Sequence, residues 1–126
     1  MIVQVSGPPC AGKSTYIKEN ANPYDVVLDD NTLLGARYGR ARVPDRAWRA
    51  WHHHLDIVLA VWQLTDPRTL WYIQGNPAPR TARARVVLLT PPYSELIRRV
   101  AADERPTITS KWIRDWFNKY GNYKTS

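Results

Sequence analysis

Short apolar runs alternate along this chain with longer stretches in which apolar residues recur every three or four positions. IVQVS at 2–6, rich in β-branched residues and bounded by Gly-Pro-Pro, predicts a buried strand. KSTYIKEN at 13–20 predicts a helix that the following NANP stops. DVVLDD at 25–30 predicts a second strand ending in two acids, and a helix is expected to start within 29–38 with Asp or Asn near its N-cap. GRARVP at 39–44 is a basic connector. From Pro44 to Pro67 the period becomes helical: Trp48, Trp51, Leu55, Val58, Leu59 and Trp62 mark one apolar face. TLWYIQ at 69–74 predicts a third strand, GNPAPR a turn, and RVVLLT at 85–90 a fourth strand. Two more helices are expected, over 92–104 with Pro at its start and over about 109–120 with Trp112, Ile113, Trp116 and Phe117.

Strands that alternate with helices imply an α/β fold, a short and mostly parallel sheet of about four strands flanked by helices. Runs such as VVL and VVLL suit strands buried on both faces. The length of 126 residues fits one domain over 1–126, and no internal repeat or low-complexity segment divides it.

Within that frame, GPPCAGKS at 7–14 stands between a predicted strand and a predicted helix, and it satisfies GxxxxGK[ST] at Gly7, Gly12, Lys13 and Ser14. In such a loop consecutive backbone N–H groups curl around phosphate oxygens, and glycine permits the required dihedrals. Pro8, Pro9, Cys10 and Ala11 complete the loop, and Thr15 follows on the helix whose N-terminus faces the anion. Lys13 is expected to reach the β- and γ-phosphates of ATP or another nucleoside triphosphate, and the Ser14 hydroxyl to ligate Mg²⁺. Cys10 is read as a small filler within the loop.

Phosphoryl transfer also needs a carboxylate near the attacking hydroxyl, and open α/β sheets place such groups at the carboxyl ends of strands. Asp29 and Asp30 are the candidates: one serves as general base on the acceptor, the other caps the next helix or contacts substrate. Net charge is +7, and thirteen of the 18 basic residues are Arg, which favours bidentate contact with phosphates and suggests a polyanionic partner. Arg37, Arg40 and Arg42, with Arg46 and Arg49, form the densest cluster and are candidates for a nucleic-acid backbone. Arg80 and Arg83, three apart as on a helical face, are candidates for the same role. His52, His53 and His54 point about 100° apart on a helix and do not chelate one ion, so they read as helix surface.

GPPCAGKST, VVLDDNTL, NPAPR and SELIRRVAADER, in that order, resemble the 5′-polynucleotide kinase domain of bacteriophages, within the broader P-loop kinases that include zeta toxins. The resemblance implies a three-layer P-loop kinase fold and a polynucleotide 5′-hydroxyl as acceptor. It makes Asp29 the catalytic base, and Arg99 and Arg105, with Arg98 as a substitute, the lid arginines on the transferring phosphate. Two positions depart from the family: Thr32 stands where it carries an Arg, and Gln74 where it carries an Asp at the end of the third strand. Mg²⁺ then rests on Ser14, phosphates and water, with help from Asp29 or Asp30.

Three functions stay open at this level. The first is a Mg²⁺-dependent kinase acting on a nucleic-acid end, the second a kinase for a nucleoside or nucleotide, and the third a nucleotide-binding protein without transfer activity. A motor ATPase is disfavoured because no strand-end acid serves as Walker B. No apolar run reaches the ~20 residues of a membrane helix, and no secretory signal is visible. One cysteine rules out an internal disulfide, so the expected setting is cytoplasmic, that of the host if a phage encodes the chain. The Trp-rich helices are expected to supply core packing or, in excess, an oligomer surface.

Overall fold

The structure, a computed structural model, describes residues 1–30 and 43–122. In chain order the elements are β1 (Ile2–Ser6), α1 (Lys13–Asn20), β2 (Val26–Asp29), α2 (Asp45–Thr65), β3 (Leu70–Gln74), β4 (Arg85–Leu88), α3 (Tyr93–Ala102) and α4 (Ile108–Tyr120). The four strands form an all-parallel sheet in the order β2-β3-β1-β4. The helix expected within 29–38 and the connector at 39–44 fall almost wholly outside the described residues.

β1 and β3 sit in the centre, which explains their burial along the strand: IVQVS is buried at all five positions, Gln4 and Ser6 included, and LWYIQ at its first four. They pair from Ile2 with Leu70 to Ser6 with Gln74, so both strands end at one level. Alternation divides their side chains between two layers. Ile2, Leu70 and Tyr72 pack against Leu55 and Leu59 of α2 on one face. Val3, Val5, Trp71 and Ile73 pack with Ile17 of α1 on the other. A third cluster joins Ala11 of the 7–14 loop to Leu96 and Val100 of α3 and Ile113 of α4. Each large apolar side chain buried in this way contributes about 1.5–3 kcal/mol.

Two expectations about helix faces change. Val58 is 44% exposed, because at 100° per residue it falls at the margin of the stripe centred on Leu55 and Leu59. Ile57, Val61 and Leu64 are exposed on the opposite side of α2, so the outward apolar residues of this helix are aliphatic. Trp51 and Trp62 pack against the core, and Trp116 is buried. Arg80 and Arg83 do not share a helical face: residues 75–84 form a turn-rich connection with no helix. Pro77 and Pro79 lack the N–H that a helix needs, and β1 holds this connection by its own side chains. Gln4 Nε2 donates to Ala78 O at 2.8 Å, Ser6 Oγ to Asn76 O at 2.9 Å, and Arg80 N to Gln4 Oε1 at 2.8 Å.

Candidate functional site

The loop between β1 and α1 bends through three residues of positive φ: Gly7 at 154°, Cys10 at 67° and Gly12 at 91°. A Cβ on Gly7 would stand 2.3 Å from the backbone oxygen of Leu89, so close passage beside the residue after β4 demands glycine there. Arg99 fastens the loop from outside, with one guanidinium nitrogen donating to Cys10 O at 2.9 Å and Nε to Glu95 at 3.2 Å. Lys13 Nζ turns back over the loop and donates to Gly7 O and Pro8 O, both at 2.8 Å.

A cavity of about 250 Å³ opens at this loop, lined by Lys13, Ser14, Asp29, Gln74, Arg105 and Trp112 among others. Three parallel strands end here, so the loop, Asp29 and Gln74 arrive together at the carboxyl edge of the sheet. Arg105 is delivered by the way α3 ends. Glu104 adopts left-handed backbone (φ 51°), Arg105 N donates to Val100 O at 3.0 Å, and Glu104 N to Ala101 O at 3.3 Å. That paired closure turns the chain sharply and stops the helix at Ala102. Arg99 thus braces the loop from its flank, and Arg105 faces the cavity.

Asp29 and Asp30, adjacent in sequence, enter different cavities. Asp30 lines a second one of about 560 Å³, bounded by Trp48, His52 and Asp56 of α2, Tyr72 of β3, and Arg80. Asp30 is 7% exposed and accepts three hydrogen bonds. They come from Trp51 Nε1, from Tyr72 Oη at 2.8 Å, and from His52 Nε2 at 3.2 Å in the tautomer that places the proton there. Burial first, then the negative charge of Asp30, pushes the Tyr72 phenol well above its ordinary value, so it stays a neutral donor. Arg80 closes the opposite wall through Asp56, with Nε at 2.8 Å, and also donates to His52 O at 3.3 Å.

The two cavities meet along Ile73, Gln74 and Gly75. Gln74 donates from its amide nitrogen to Asn76 O at 2.9 Å and Ala78 O at 3.0 Å, which a carboxylate has no proton to do. Trp116 Nε1 adds a bond to Gly75 O at 2.7 Å. Among the described residues, no group of three or more His, Cys, Asp or Glu side chains is arranged to hold a metal by itself. Ser14 and Asp29 on one cavity fit an ion that keeps water and substrate phosphates in its shell, as Mg²⁺ does.

Of the expected site residues, Gly7, residues 9–15, Asp29 and Arg105 converge on the first cavity and Asp30 and Arg80 on the second, while Pro8 is buried beneath the loop and Arg83 is exposed apart from both. Arg37, Arg40, Arg42 and Thr32 lie outside the described residues. His52, read from sequence as helix surface, faces inward: it lies about 60° from Leu55 around the helix, while His53 and His54 swing outward and are exposed. Its signal was present in the spacing His52–Leu55–Asp56. Tyr72, Thr109 and Trp112 carried no sequence signal beyond packing. No helix among the described residues is long and apolar enough to cross a membrane. No protein-family model matches the chain, and no curated protein matches it.

Proposed function

We propose that this protein is a Mg²⁺-dependent kinase of P-loop type, which moves the γ-phosphate of ATP to a hydroxyl acceptor, the 5′-hydroxyl of a polynucleotide being the leading candidate. The observation that carries the reading is the 7–14 loop itself. Its three positive-φ residues lie between a central parallel strand and a helix, and Lys13, Ser14, Asp29 and Arg105 share its cavity. The strand order supports it too. From β1 the chain runs to β2 and β3 on one side and to β4 on the other, so the loop sits at the switch point where α/β folds bind ligands.

In this reading the loop amides and the N-terminus of α1 hold the triphosphate. Lys13 leaves its loop carbonyls for phosphate oxygens, and Arg105 places charge on the group in transfer. Ser14 and Asp29 would hold Mg²⁺, which when bound neutralises charge on the β- and γ-oxygens. A nucleoside kinase is the second reading, favoured by the 560 Å³ cavity, whose size suits one small ligand.

The test is transfer of labelled γ-phosphate from ATP, with Mg²⁺, to 5′-hydroxyl DNA and RNA oligonucleotides and to free nucleosides. Label on oligonucleotide ends that is lost in Lys13→Ala supports the polynucleotide reading. Label on nucleosides alone moves the protein to the second reading. ATP binding with no labelled product overturns both.

A further inference from the structure

We infer that Arg99 is a positioning residue for the 7–14 loop. By holding the carbonyl of Cys10 it keeps the loop in its binding shape, and so sets the affinity for nucleoside diphosphates and triphosphates alike. The inference rests on the nucleotide-binding half of the reading above and gives Arg99 a role other than contact with the phosphate in transfer. Position separates the two arginines. Arg105 lines the 250 Å³ cavity, while Arg99 is not among its walls. Arg99 lines instead a cavity of about 520 Å³ on the other flank of the loop, beside Cys10, Ala11 and Gly12.

The strained point of the loop is Cys10. Of the three residues with positive φ, Gly7 and Gly12 carry no Cβ, but Cys10 at 67° does. Left-handed backbone at such a residue is disfavoured by about tenfold, so the surrounding structure has to impose it. Arg99 Nη1 donates to Cys10 O at 2.9 Å, a bond from a charged donor. The peptide plane carries that restraint onward: its other end, Ala11 N, donates to Pro8 O at 3.2 Å. The unit joining Cys10 to Ala11 is therefore clamped at both ends. Behind the clamp, Glu95 accepts from Arg99 Nε at 3.2 Å and pairs with Arg98 as well. Beneath it, Ala11 packs with Leu96, Val100 and Ile113.

A loop that populates its competent shape only in part binds every ligand more weakly by that fraction. Releasing Cys10 then costs affinity for anything the loop cradles, whether it carries two phosphates or three. Removing Arg105 instead takes away charge that faces the cavity itself, where a terminal phosphate would lie. One helix thus serves the site twice: its last turn holds the loop through Arg99, and its left-handed end delivers Arg105.

The test is calorimetric titration of the full chain with ADP and with ATP, both with Mg²⁺, which needs no turnover. Arg99→Ala should weaken both nucleotides by the same factor, about tenfold. Arg99→Lys, which keeps a charged donor, should lose less than about threefold. The decisive variant is Cys10→Gly placed in the Arg99→Ala chain. Glycine adopts this φ without penalty, so the double variant should recover both affinities to within about threefold of the unaltered chain. In transfer assays Arg99→Ala should raise KM for ATP and leave kcat within about threefold, the pattern of lost uniform binding. Arg105→Ala should lower kcat and spare ADP affinity, and Cys10→Gly should not rescue it.

Loss of ATP affinity with ADP affinity kept would place Arg99 on the terminal phosphate and overturn the inference. Unchanged affinity in Arg99→Ala, or no recovery in the double variant, would overturn it as well. If Arg99→Ala alone does not fold, the double variant decides: folded and binding both nucleotides it supports the role, folded and binding neither it sinks it. Nucleotide binding without transfer to any acceptor would overturn the kinase reading and leave this inference standing. No nucleotide binding by the unaltered chain would overturn both.

Discussion

The two cavities that meet at the end of β3 are built from opposite materials. The smaller cavity is built around backbone, a loop of eight residues whose shape depends on three positive-φ positions and whose carbonyls at Gly7 and Pro8 hold one ammonium. The larger cavity is made of side chains drawn from α2, β3 and the connection before β4, converging on one buried carboxylate, Asp30, directly after β2. In the kinase reading proposed above, the backbone cradle would recognise what all nucleoside triphosphates share, and the cradle of side chains what distinguishes one acceptor from another. The first is broken by steric insult at glycine, and the second by losing any one of several hydrogen bonds.

The largest effect is therefore expected at Gly7. Gly7→Ala places a Cβ 2.3 Å from Leu89 O at a φ that side chains rarely adopt, and the neighbour is backbone that cannot swing aside. Denaturant unfolding should show a loss of more than about 2 kcal/mol, with ATP binding abolished. Gly12→Ala meets only the guanidinium of Arg99, 4.0 Å away, so its cost is confined to dihedral strain of about 1–2 kcal/mol. Equal losses at the two glycines would show that strain, not the approach to Leu89, shapes the loop. Lys13→Ala separates chemistry from fold: transfer should fall on the order of 10²–10³-fold while the melting temperature stays near that of the unaltered chain.

This contrast also explains what the sequence revealed. A backbone cradle is coded locally, so Gly7, Gly12, Lys13 and Ser14 announced themselves by spacing, and the strand and helix around them fell within a residue or two of expectation. The alternation of apolar runs sufficed for an α/β chain with a parallel sheet, because each central strand is buried on both faces. The second cavity joins residues 21 to 42 positions apart, such as Asp30 with Trp51 and with Tyr72. No local pattern encodes such meetings. His52 was hidden by its two neighbours: three histidines in a row look like surface until the helical angle shows that only the first shares the inward stripe. Arg80 and Arg83 misled for the opposite reason, since a spacing of three suggests a helix only where prolines and Gln4 do not hold the chain otherwise.

A smaller effect tests the side-chain cavity. Tyr72→Phe removes one of three donors to Asp30 and should cost about 1–2 kcal/mol at neutral pH. It should also change the alkaline behaviour. The folded-state pKa of Tyr72 is raised above its ordinary value of 10.0 by burial and by Asp30, so the folded protein retains a proton that the unfolded chain releases. That stability is present in full below about pH 10 and falls as pH rises beyond it. Unfolding midpoints followed from pH 8 to 11 should decline less steeply in Tyr72→Phe. Parallel declines would mean that the phenol is not held neutral by its surroundings.

The smallest effect belongs to the neighbours of His52, and it is what makes the comparison sharp. His53 and His54 are exposed, and their rings contact each other at 6.1 Å between centroids, outside both cavities. Exposed substitutions away from caps and networks change stability by less than about 0.5 kcal/mol. His53→Ala and His54→Ala should accordingly leave melting temperature, ATP affinity and transfer rate within about twofold of the unaltered chain, because neither touches Asp30 or the walls of either cavity. One residue's displacement along α2 turns the side chain by about 100°. If His53→Ala were to lower transfer, α2 would have to be rotated from the position that buries Leu55 and Leu59. The core itself would then register that rotation as a loss of stability, which thermal unfolding of His53→Ala reads directly.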